Sequence, residues 1–333
     1  ERFSPKSRAI LEIQSDRDLE ILEKIYANSL LLGDNGPDGW GVKYAQGDFN
    51  MTSDSRLFPP RPVWEAKGYR PDEYSRWLLG RWRPIEELWA ELGVDPARVM
   101  PADVELEEWL FDSTAGPERR QAEAQFVHGH LLKPGDVART PWRLRCAQPP
   151  YDTLPIARAD IPAGIVLSRE ADAWIREENV EDVALPLYEG RMIGQFDFSQ
   201  KGWVSGKGRS AVWRDIPWER KVIEPQYLIG KKDALGSGKS YPGSKIAYMR
   251  IGSSTNSRTT TATYLGAHPA GDSVFFFVPE RPELMRPLVG SGVLSSVAYD
   301  FGVRQRLGGL NLSEFVMAET ALPMPTPGVL SVL

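Results

Sequence analysis

Asp54, Glu65 and Lys67 are the residues of this chain whose types come closest to a catalytic set. In metal-dependent nucleases two carboxylates bind a divalent cation and a lysine assists the activation of water. Glu65-Ala66-Lys67, however, is a tripeptide that arises by chance in most chains of this length. The Pro-Pro-Arg-Pro run at 59–62 also does not predict a hairpin that would bring Asp54 close to it. A nuclease centre is therefore kept only as an alternative.

The run GSGKS at 236–240 is similar to the end of a phosphate-binding loop. The full pattern needs a glycine where Asp233 stands, and Pro242 prevents the helix that should begin at the lysine. A nucleoside triphosphate site is therefore not predicted. A basic, glycine-rich loop can still bind DNA phosphates through its backbone amides and its lysine.

Metal and membrane sites are not expected either. The three histidines and the lone Cys146 lack the spacing of a zinc site. A single cysteine also excludes a disulfide framework and indicates a reducing compartment, the cytoplasm. The sequence contains no run of about 18 apolar residues, so no membrane-spanning helix is predicted.

The tetrapeptide Gln148-Pro149-Pro150-Tyr151 is similar to the Asn-Pro-Pro-Tyr with which DNA adenine methyltransferases hold an extruded base. Its first residue is Gln, and the preceding residues 143–147 do not form the buried strand with an acidic residue that such enzymes have. No glycine-rich cofactor turn lies upstream. We interpret the tetrapeptide as a Pro-Pro loop, and no catalytic or cofactor-binding residue is predicted in this chain.

The charge of the chain is distributed unevenly. The whole sequence has 40 Lys+Arg and 45 Asp+Glu, a net charge of −5, whereas residues 191–258 hold thirteen Lys/Arg and only five Asp/Glu. A basic segment inside an acidic chain is typical of a localised polyanion site. The alternative interpretation is a solvated, lysine-rich loop region.

Aromatic and amide residues are interleaved with these basic residues. Trp203, Trp213, Trp218 and Tyr227 lie in or next to the basic runs, and the same segment contains three amides, Gln195, Gln226 and Asn256. Arginine pairs with guanine, Asn or Gln pairs with adenine, and lysine binds any phosphate. For most single residues a role in the core or in a turn is the better interpretation, but the segment as a whole favours DNA contact.

Hydrophobic periodicity predicts the elements that position these residues. Helices are expected at 16–27 (capped by Ser15), 71–79, 84–92, 104–111, 117–131 and 284–307. Strands are expected at 40–44, 165–167, 192–198, 211–213, 245–251 and 273–278. The predicted fold class is α+β, with a mixed-sheet recognition domain that carries glycine-rich basic loops and a helical insertion rich in Trp and Glu.

Several stretches, taken in order, carry a family resemblance. They are DRDLEILEKIYANSLLLGDNGPDGWGVKY (16–44), DFNMTSDSRLF (48–58), LPLYEGRMIGQFDF (185–198), IGSSTNSRTTTATYL (251–265) and YDFGVRQRLGGLNLSEF (299–315). As an ordered set they resemble the target-recognition portion of large N6-adenine-specific DNA methyltransferases and type IIG restriction–modification enzymes, including BREX-like phage-defence methyltransferases. Asn50, in place of the usual Asp, and the uncharged Gly252-Ser253-Ser254 are departures from the family pattern.

The resemblance implies a division of labour. Residues 1–62 would connect to an absent upstream domain that binds S-adenosylmethionine and methylates adenine. Residues 63–183 would form the acidic insertion and a Pro-rich connection, and residues 184–333 the recognition core with its C-terminal helices. The expected partners are double-stranded DNA, the upstream methyltransferase domain and proteins of a defence system.

The predicted DNA-binding residues follow from this resemblance and from the basic segment. Phosphate contacts are expected from Lys201, Lys207, Arg209, Lys231, Lys232 and Lys239. Contacts near bases or phosphates are expected from Arg191, Arg250, Asn256, Arg258 and Arg304. Two alternatives remain open: a non-enzymatic protein-interaction module of a defence complex, and the metal-dependent nuclease described above.

Overall fold

The computed structural model divides the chain into two compact units. The main unit consists of residues 1–70, 75–79 and 182–333, and the second unit of residues 71–74 and 80–181. The structure describes residues 3–36, 39–97, 103–106, 125–127, 130–132, 142–145, 150–151, 154–156, 158–239, 243–280 and 287–322. The predicted insertion at 63–183 therefore includes the second unit and some residues of the main unit.

The described elements are short, and strands outnumber helices. The helices are α1 (Asp16–Ala27), α2 (Arg61–Glu65), α3 (Ile85–Leu92), α4 (Lys231–Gly236), α5 (Pro287–Leu294), α6 (Val297–Arg306) and α7 (Glu314–Ala318). The strands are β1 (Leu30–Leu31), β2 (Val42–Ala45), β3 (Arg70–Pro71), β4 (Trp77–Gly80), β5 (Arg83–Pro84), β6 (Asp103–Leu106), β7 (Gln125–Val127), β8 (His130–Leu132), β9 (Trp142–Arg145), β10 (Ile165–Leu167), β11 (Ala173–Arg176), β12 (Val180–Leu187), β13 (Lys201–Ser205), β14 (Val212–Asp215), β15 (Tyr227–Gly230), β16 (Lys245–Met249), β17 (Ala262–Leu265), β18 (Val274–Pro279) and β19 (Ala321–Leu322). Of the helices in the described ranges, each is too short or too polar to traverse a lipid bilayer.

The main unit is built around an antiparallel sheet with the strand order β17-β16-β18-β2. Successive side chains of a strand point to opposite faces. Accordingly, Tyr248 and Phe277 pack with Tyr299 in one hydrophobic cluster, whereas Ala247 and Phe276 pack in another. Both faces of the sheet are buried, which explains why its strands are nearly continuous apolar runs in the sequence.

A second sheet of the main unit has the strand order β15-β12-β4-β3, in which β12 and β15 are antiparallel. Trp64 and Trp77 pack against Leu228 on this sheet, and Phe58 packs with Ile229 in a neighbouring cluster. Strand β12 leads directly into the segment Tyr188–Phe198, so this sheet sets the position from which the basic segment begins.

In the second unit, β10, β11 and β5 form an antiparallel sheet, and helix α3 contributes to the same core. Leu88 and Trp89 of α3 pack with Leu167 and Trp174 in one cluster. Two further antiparallel pairs, β6 with β9 and β7 with β8, also belong to this unit. Its described residues therefore hold one α-helix and mostly strands.

Several predicted elements are confirmed. The helix at 16–27 is present, with the Ser15 side chain accepting a hydrogen bond from the Asp18 amide at 3.2 Å. The helix at 84–92, the strands at 40–44, 165–167, 211–213, 245–251 and 273–278, and the helical character of 284–307 are also observed within a few residues of the expected bounds. The α+β class is correct, realised as several small antiparallel sheets and few helices.

Within the insertion the helix at 84–92 is confirmed, but the other predicted helices are wrong where the structure describes their residues. Residues 71–79 contain no helix, because the Tyr74 amide donates to the Asp72 side chain at 3.0 Å and Ser75 has a positive φ of 61°. Residues 104–106 pair as part of β6 with β9, and residues 125–127 and 130–131 belong to the β7–β8 hairpin. The rest of the predicted helices at 104–111 and 117–131 lies outside the described residues, as do the first two residues of the tetrapeptide at 148–151.

The strand predicted at 192–198 is also wrong. Residues Gly190–Met192 form a single 3-10 turn, and the chain turns sharply again between Gly194 and Asp197, which hydrogen-bond to each other. Phe196 within that turn has a positive φ of 59°, which no extended strand permits. Met192 and Ile193 are buried in this compact turn, whereas Phe196 and Phe198 are exposed.

Candidate nucleic-acid interface

The box LPLYEGRM forms the scaffold beneath the basic segment. Tyr188, Met192 and Ile193 are fully buried. The Gly190 amide donates to Ser273 Oγ at 3.0 Å, and a Cβ on Gly190 would lie only 2.9 Å from the Ser273 carbonyl oxygen. Glycine is needed at position 190 because the chain that follows β12 passes in direct contact with the loop before β18. The box therefore joins the two sheets of the main unit.

Strands β13 and β14 form a hairpin directly after this box. Lys201 pairs with Asp215 and Trp203 with Trp213 in its register, and a bulge follows Trp203. The side chains of Val204 and Val212 are about half exposed, at 46% and 53%. Bulges and exposed apolar residues on a two-stranded ribbon are features of an edge that another molecule can cover.

The hairpin loop is held in shape by its own scaffold. The Gly206 carbonyl accepts hydrogen bonds from Trp203 Nε1 at 3.0 Å and from Gln226 Nε2 at 3.3 Å. Gly206 has a positive φ of 75°, and a Cβ there would lie 2.3 Å from the Ser210 carbonyl oxygen. The loop is thus a defined structure that can present side chains at fixed positions.

Charges on this hairpin fall into two classes. Lys201 faces Asp215 at 3.9 Å, and Arg214 pairs with Glu224 at 2.5 Å. Lys207 and Arg209 in the loop are exposed, and neither forms an ion pair with any residue of the described chain. The uncompensated positive charge is therefore concentrated at the tip.

A third set of predicted residues lies in and after helix α4. Lys231 and Lys232 are exposed in its first turn. Lys239 instead pairs with Asp54 at 2.6 Å, and its hydrogen bond lowers the pKa of that carboxyl group. The lysine of the GSGKS run therefore forms an intramolecular ion pair.

The alternative nuclease set is not joined into one site. Asp54 is engaged by Lys239, Glu65 pairs with Arg61 at 3.2 Å, and Lys67 lies over the Trp64 ring at 5.5 Å. Among the described residues, no group of three or more His, Cys, Asp or Glu side chains could hold a metal ion. The three nuclease candidates have separate partners.

Three predicted residues, Asn256, Arg258 and Arg304, are brought together around Asp300. Arg304 donates to the Asn256 carbonyl at 2.9 Å and to Asp300 Oδ2 at 3.3 Å. Arg258 Nε lies 4.0 Å from Asp300 Oδ1, and its guanidinium also donates to the Ser295 carbonyl. Two guanidinium groups share one carboxylate, so the cluster keeps an excess of positive charge.

Asp300 also fixes the backbone of this cluster. Its Oδ1 accepts hydrogen bonds from the Thr259 amide at 2.8 Å and the Thr260 amide at 2.7 Å. The two arginine side chains remain 29% and 31% exposed. The TNSR box is thus held on helix α6, with part of each guanidinium available to solvent. We name Arg258, Asp300 and Arg304 the arginine cluster.

The two remaining predicted arginines line separate cavities of the main unit. Exposed Arg191 lines a cavity of about 530 Å³ together with Trp213 and Tyr227. Arg250 stacks over the Phe275 ring at 5.6 Å and lines a cavity of about 810 Å³. The carboxylates Asp48, Asp54 and Asp272 line that larger cavity too, which makes it a poor site for a polyanion.

Of the three amides in the basic segment, two are used within the protein. Gln195 Nε2 donates to the Ser295 carbonyl at 3.1 Å, and its Oε1 accepts from the Ala262 amide at 3.3 Å. Gln226 is buried and binds the hairpin loop. Both side chains satisfy local backbone groups, in agreement with the interpretation that most single residues of the segment have a structural role. The Asn256 side chain is exposed.

Sequence reasoning missed two residues of the LPLYEGRMIGQFDF box. Burial raises the pKa of Glu189 to about 7, and Arg191 opposes that effect. Glu189 Oε2 is buried without a hydrogen-bond partner in the described structure. Phe196 combines a positive φ with an exposed side chain. A carboxylate inside an otherwise apolar box was the available signal for Glu189, whereas Phe196 looked like an ordinary core residue.

Comparison with known proteins adds no assignment. No protein-family model matches the chain, and no curated protein sequence or solved structure is significantly similar to it.

Proposed function

We propose that this chain binds double-stranded DNA and reads its sequence for an N6-adenine DNA methyltransferase of a restriction–modification or phage-defence system. The observation that carries the proposal is the exposed β13–β14 hairpin, whose loop presents Lys207 and Arg209 without an ion-pair partner among the described residues. The protein would act in the cytoplasm, and a separate methyltransferase domain would provide the S-adenosylmethionine site. The ordered sequence boxes support the methyltransferase part of this proposal.

The size and chemistry of the hairpin fit a DNA groove. A two-stranded ribbon is one of the elements that the major groove of B-DNA, about 12 Å wide, admits. The five residues of β13 extend over about 17 Å. In this arrangement Lys207 and Arg209 bind phosphates or the acceptor edge of guanine, while Val204 and Val212 contact thymine methyl groups.

The other predicted residues have two different roles in this proposal. Exposed Arg191, Lys231 and Lys232, together with the half-buried Lys201 opposite Asp215, contribute phosphate contacts at the flanks of the hairpin. Arg258 and Arg304 are partly engaged within the protein and bind DNA through their exposed edges. Lys239 and Arg250 line the carboxylate-rich cavity, so their role is to shape the surface. Phosphate contacts would position the duplex, and the hairpin would read it.

Duplex binding should depend steeply on salt and on the hairpin tip. For six phosphate contacts, a log–log plot of affinity against salt concentration has a slope of roughly −5. The double variant Lys207→Ala/Arg209→Ala should make this slope shallower by about 2 and weaken binding roughly tenfold to a hundredfold near 0.1 M salt. Fluorescence anisotropy of a labelled duplex, titrated at several salt concentrations, measures both quantities.

Helix α1 supplies the matched control. Arg17→Ala/Lys24→Ala removes the same charge from exposed positions outside the hairpin, and it should change affinity by no more than about twofold. An equal loss in both double variants would show general attraction between charges and contradict a specific role of the hairpin. A wild-type chain that does not bind duplex DNA, or binds it with a flat salt response, would refute the proposal.

A further inference from the structure

Phe196 is held in a conformation that its own packing does not explain. Its φ is 59°, in the left-handed region that side chains with a Cβ avoid, and its side chain is 58% exposed. The other described non-glycine residues with positive φ are Arg8, Ser75 and Ala171, none of which is aromatic. This arrangement has two unfavourable contributions to the free energy of folding. The backbone of Phe196 is strained, and its large apolar ring stays exposed to water.

The backbone around Phe196 is fixed by several independent hydrogen bonds. The Phe196 amide donates to the Ala262 carbonyl at 3.0 Å. The Gly194 amide donates to the Asp197 carbonyl at 2.7 Å, and the Asp197 amide donates back at 3.2 Å. Gln195 bridges the turn to Ala262 and Ser295 through its side chain. Strain persists only where the surrounding structure imposes it in this way.

A buried ion pair ties the same turn to the base of the hairpin. Lys221 Nζ lies 2.6 Å from Asp197 Oδ2, and both side chains are only 9% exposed. Lys221 also donates to the carbonyls of Ser199 at 3.0 Å and Ile216 at 2.8 Å, on either side of the β13–β14 hairpin. The turn that exposes the Phe196 ring is therefore connected directly to the base of the β13–β14 hairpin.

The charge beside Phe196 is positive. The Ser295 carbonyl that accepts from Gln195 also accepts from the Arg258 guanidinium. Arg258 belongs to the arginine cluster, where Arg304 is the second cation and Asp300 the only carboxylate of the three residues. Asp197 is neutralised by Lys221, so it does not offset this charge. An exposed aromatic ring next to excess guanidinium charge favours a ligand that combines flat apolar surfaces with phosphates.

We propose that Phe196 is a wedge that inserts at one base step of the bound duplex, while the arginine cluster holds the adjacent phosphates. This inference rests on the proposed DNA-binding function and names the part of the DNA that this surface engages. Apolar side chains that enter a base step unstack it, and stacking of a base on an aromatic ring tolerates any sequence. The fixed turn makes insertion possible without ordering a loop at the moment of binding.

The test uses short duplexes that carry 2-aminopurine at successive positions, because this base fluoresces more strongly when it is unstacked. The wild-type 333-residue chain should raise the fluorescence at one or a few adjacent positions. Phe196→Ala should abolish the rise and weaken binding about tenfold, with an unchanged salt slope. Phe196→Leu, which keeps an apolar wedge, should retain part of the rise.

Phe315→Ala is the control, since Phe315 is an exposed aromatic of similar exposure, 49%, on helix α7. It should leave both affinity and fluorescence unchanged. Thermal melting of Phe196→Ala shows whether the fold is retained. If the wild-type chain binds DNA with the expected salt slope but no 2-aminopurine responds, or if Phe196→Ala still unstacks it, the wedge is refuted while DNA binding stands. Failure of the wild-type chain to bind DNA refutes both.

Discussion

Lys245→Ala is expected to destabilise the protein by about 3–5 kcal/mol, because it removes one partner of a fully buried ion pair. Lys245 Nζ lies 2.5 Å from Asp48 Oδ2, and the two side chains are 0% and 1% exposed. Burial lowers the pKa of Lys245, and the carboxylate of Asp48 counteracts that effect. After the substitution, the Asp48 carboxylate would keep the hydrogen bond from the Ala270 amide but would lose its cation. Urea unfolding followed by tryptophan fluorescence measures the free energy of unfolding.

A double variant separates the charge from the packing. Asp48→Asn/Lys245→Met removes both charges and preserves most of the side-chain volume, so it should recover at least half of the loss. Lys43→Ala removes an exposed lysine from the edge strand β2 of the same sheet and should change stability by less than about 0.5 kcal/mol. A Lys245→Ala variant within about 1 kcal/mol of the wild type would contradict the buried pair.

Lys245 also shows that the number of charges in a sequence segment does not predict which of them are accessible to a ligand. It belongs to the basic segment 191–258, yet it lies inside the main sheet and cannot touch a ligand. Lys221 is likewise buried against Asp197, and Arg214 is paired with Glu224. The location of the basic segment was predictable from composition, but the partner of each cation depends on contacts between residues that are distant in the sequence.

The elements of the main unit were predictable where local pattern and tertiary environment agree. The segment at 245–251 reads as a strand, and β16 packs Ile246 and Ala247 into opposite buried faces. Helix α1 has its cap and its acidic first turn within the sequence itself. Local propensity and tertiary packing favour the same state in both cases.

The second unit shows the opposite situation. Residues 104–106 have an amphipathic pattern that suits a helix, but they pair with 142–145, about 40 residues later in the chain. Pairing of this kind depends on the partner strand, which periodicity cannot identify. The turn at Phe196 was missed for a related reason, since its conformation is imposed by Ala262 and Ser295.

Glu189→Gln is expected to stabilise the protein at about pH 8 by up to about 3 kcal/mol and to change little near pH 4.5. Burial raises the pKa of Glu189 to about 7 from a usual value of 4.5. Between these two pH values the unfolded chain releases the proton and the folded chain retains it. The folded state therefore loses stability as the pH rises through this window, and above it the full penalty remains. Glutamine, which stays neutral, avoids the penalty.

The measurement compares the unfolding free energies of the variant and the wild type at about pH 4.5 and about pH 8. Glu12→Gln removes the same charge from an exposed site, so its effect should be small and similar at both pH values. A Glu189→Gln variant that is destabilised at both pH values would mean that the carboxylate is ionised and held by Arg191. In that case Glu189 would stabilise the fold through an ion pair with Arg191, which would contradict a neutral carboxyl group at this position. The sign of the change in unfolding free energy at pH 8 therefore distinguishes two cases. A stabilised variant means that the charge of Glu189 destabilises the fold, and a destabilised variant means that the charge stabilises it.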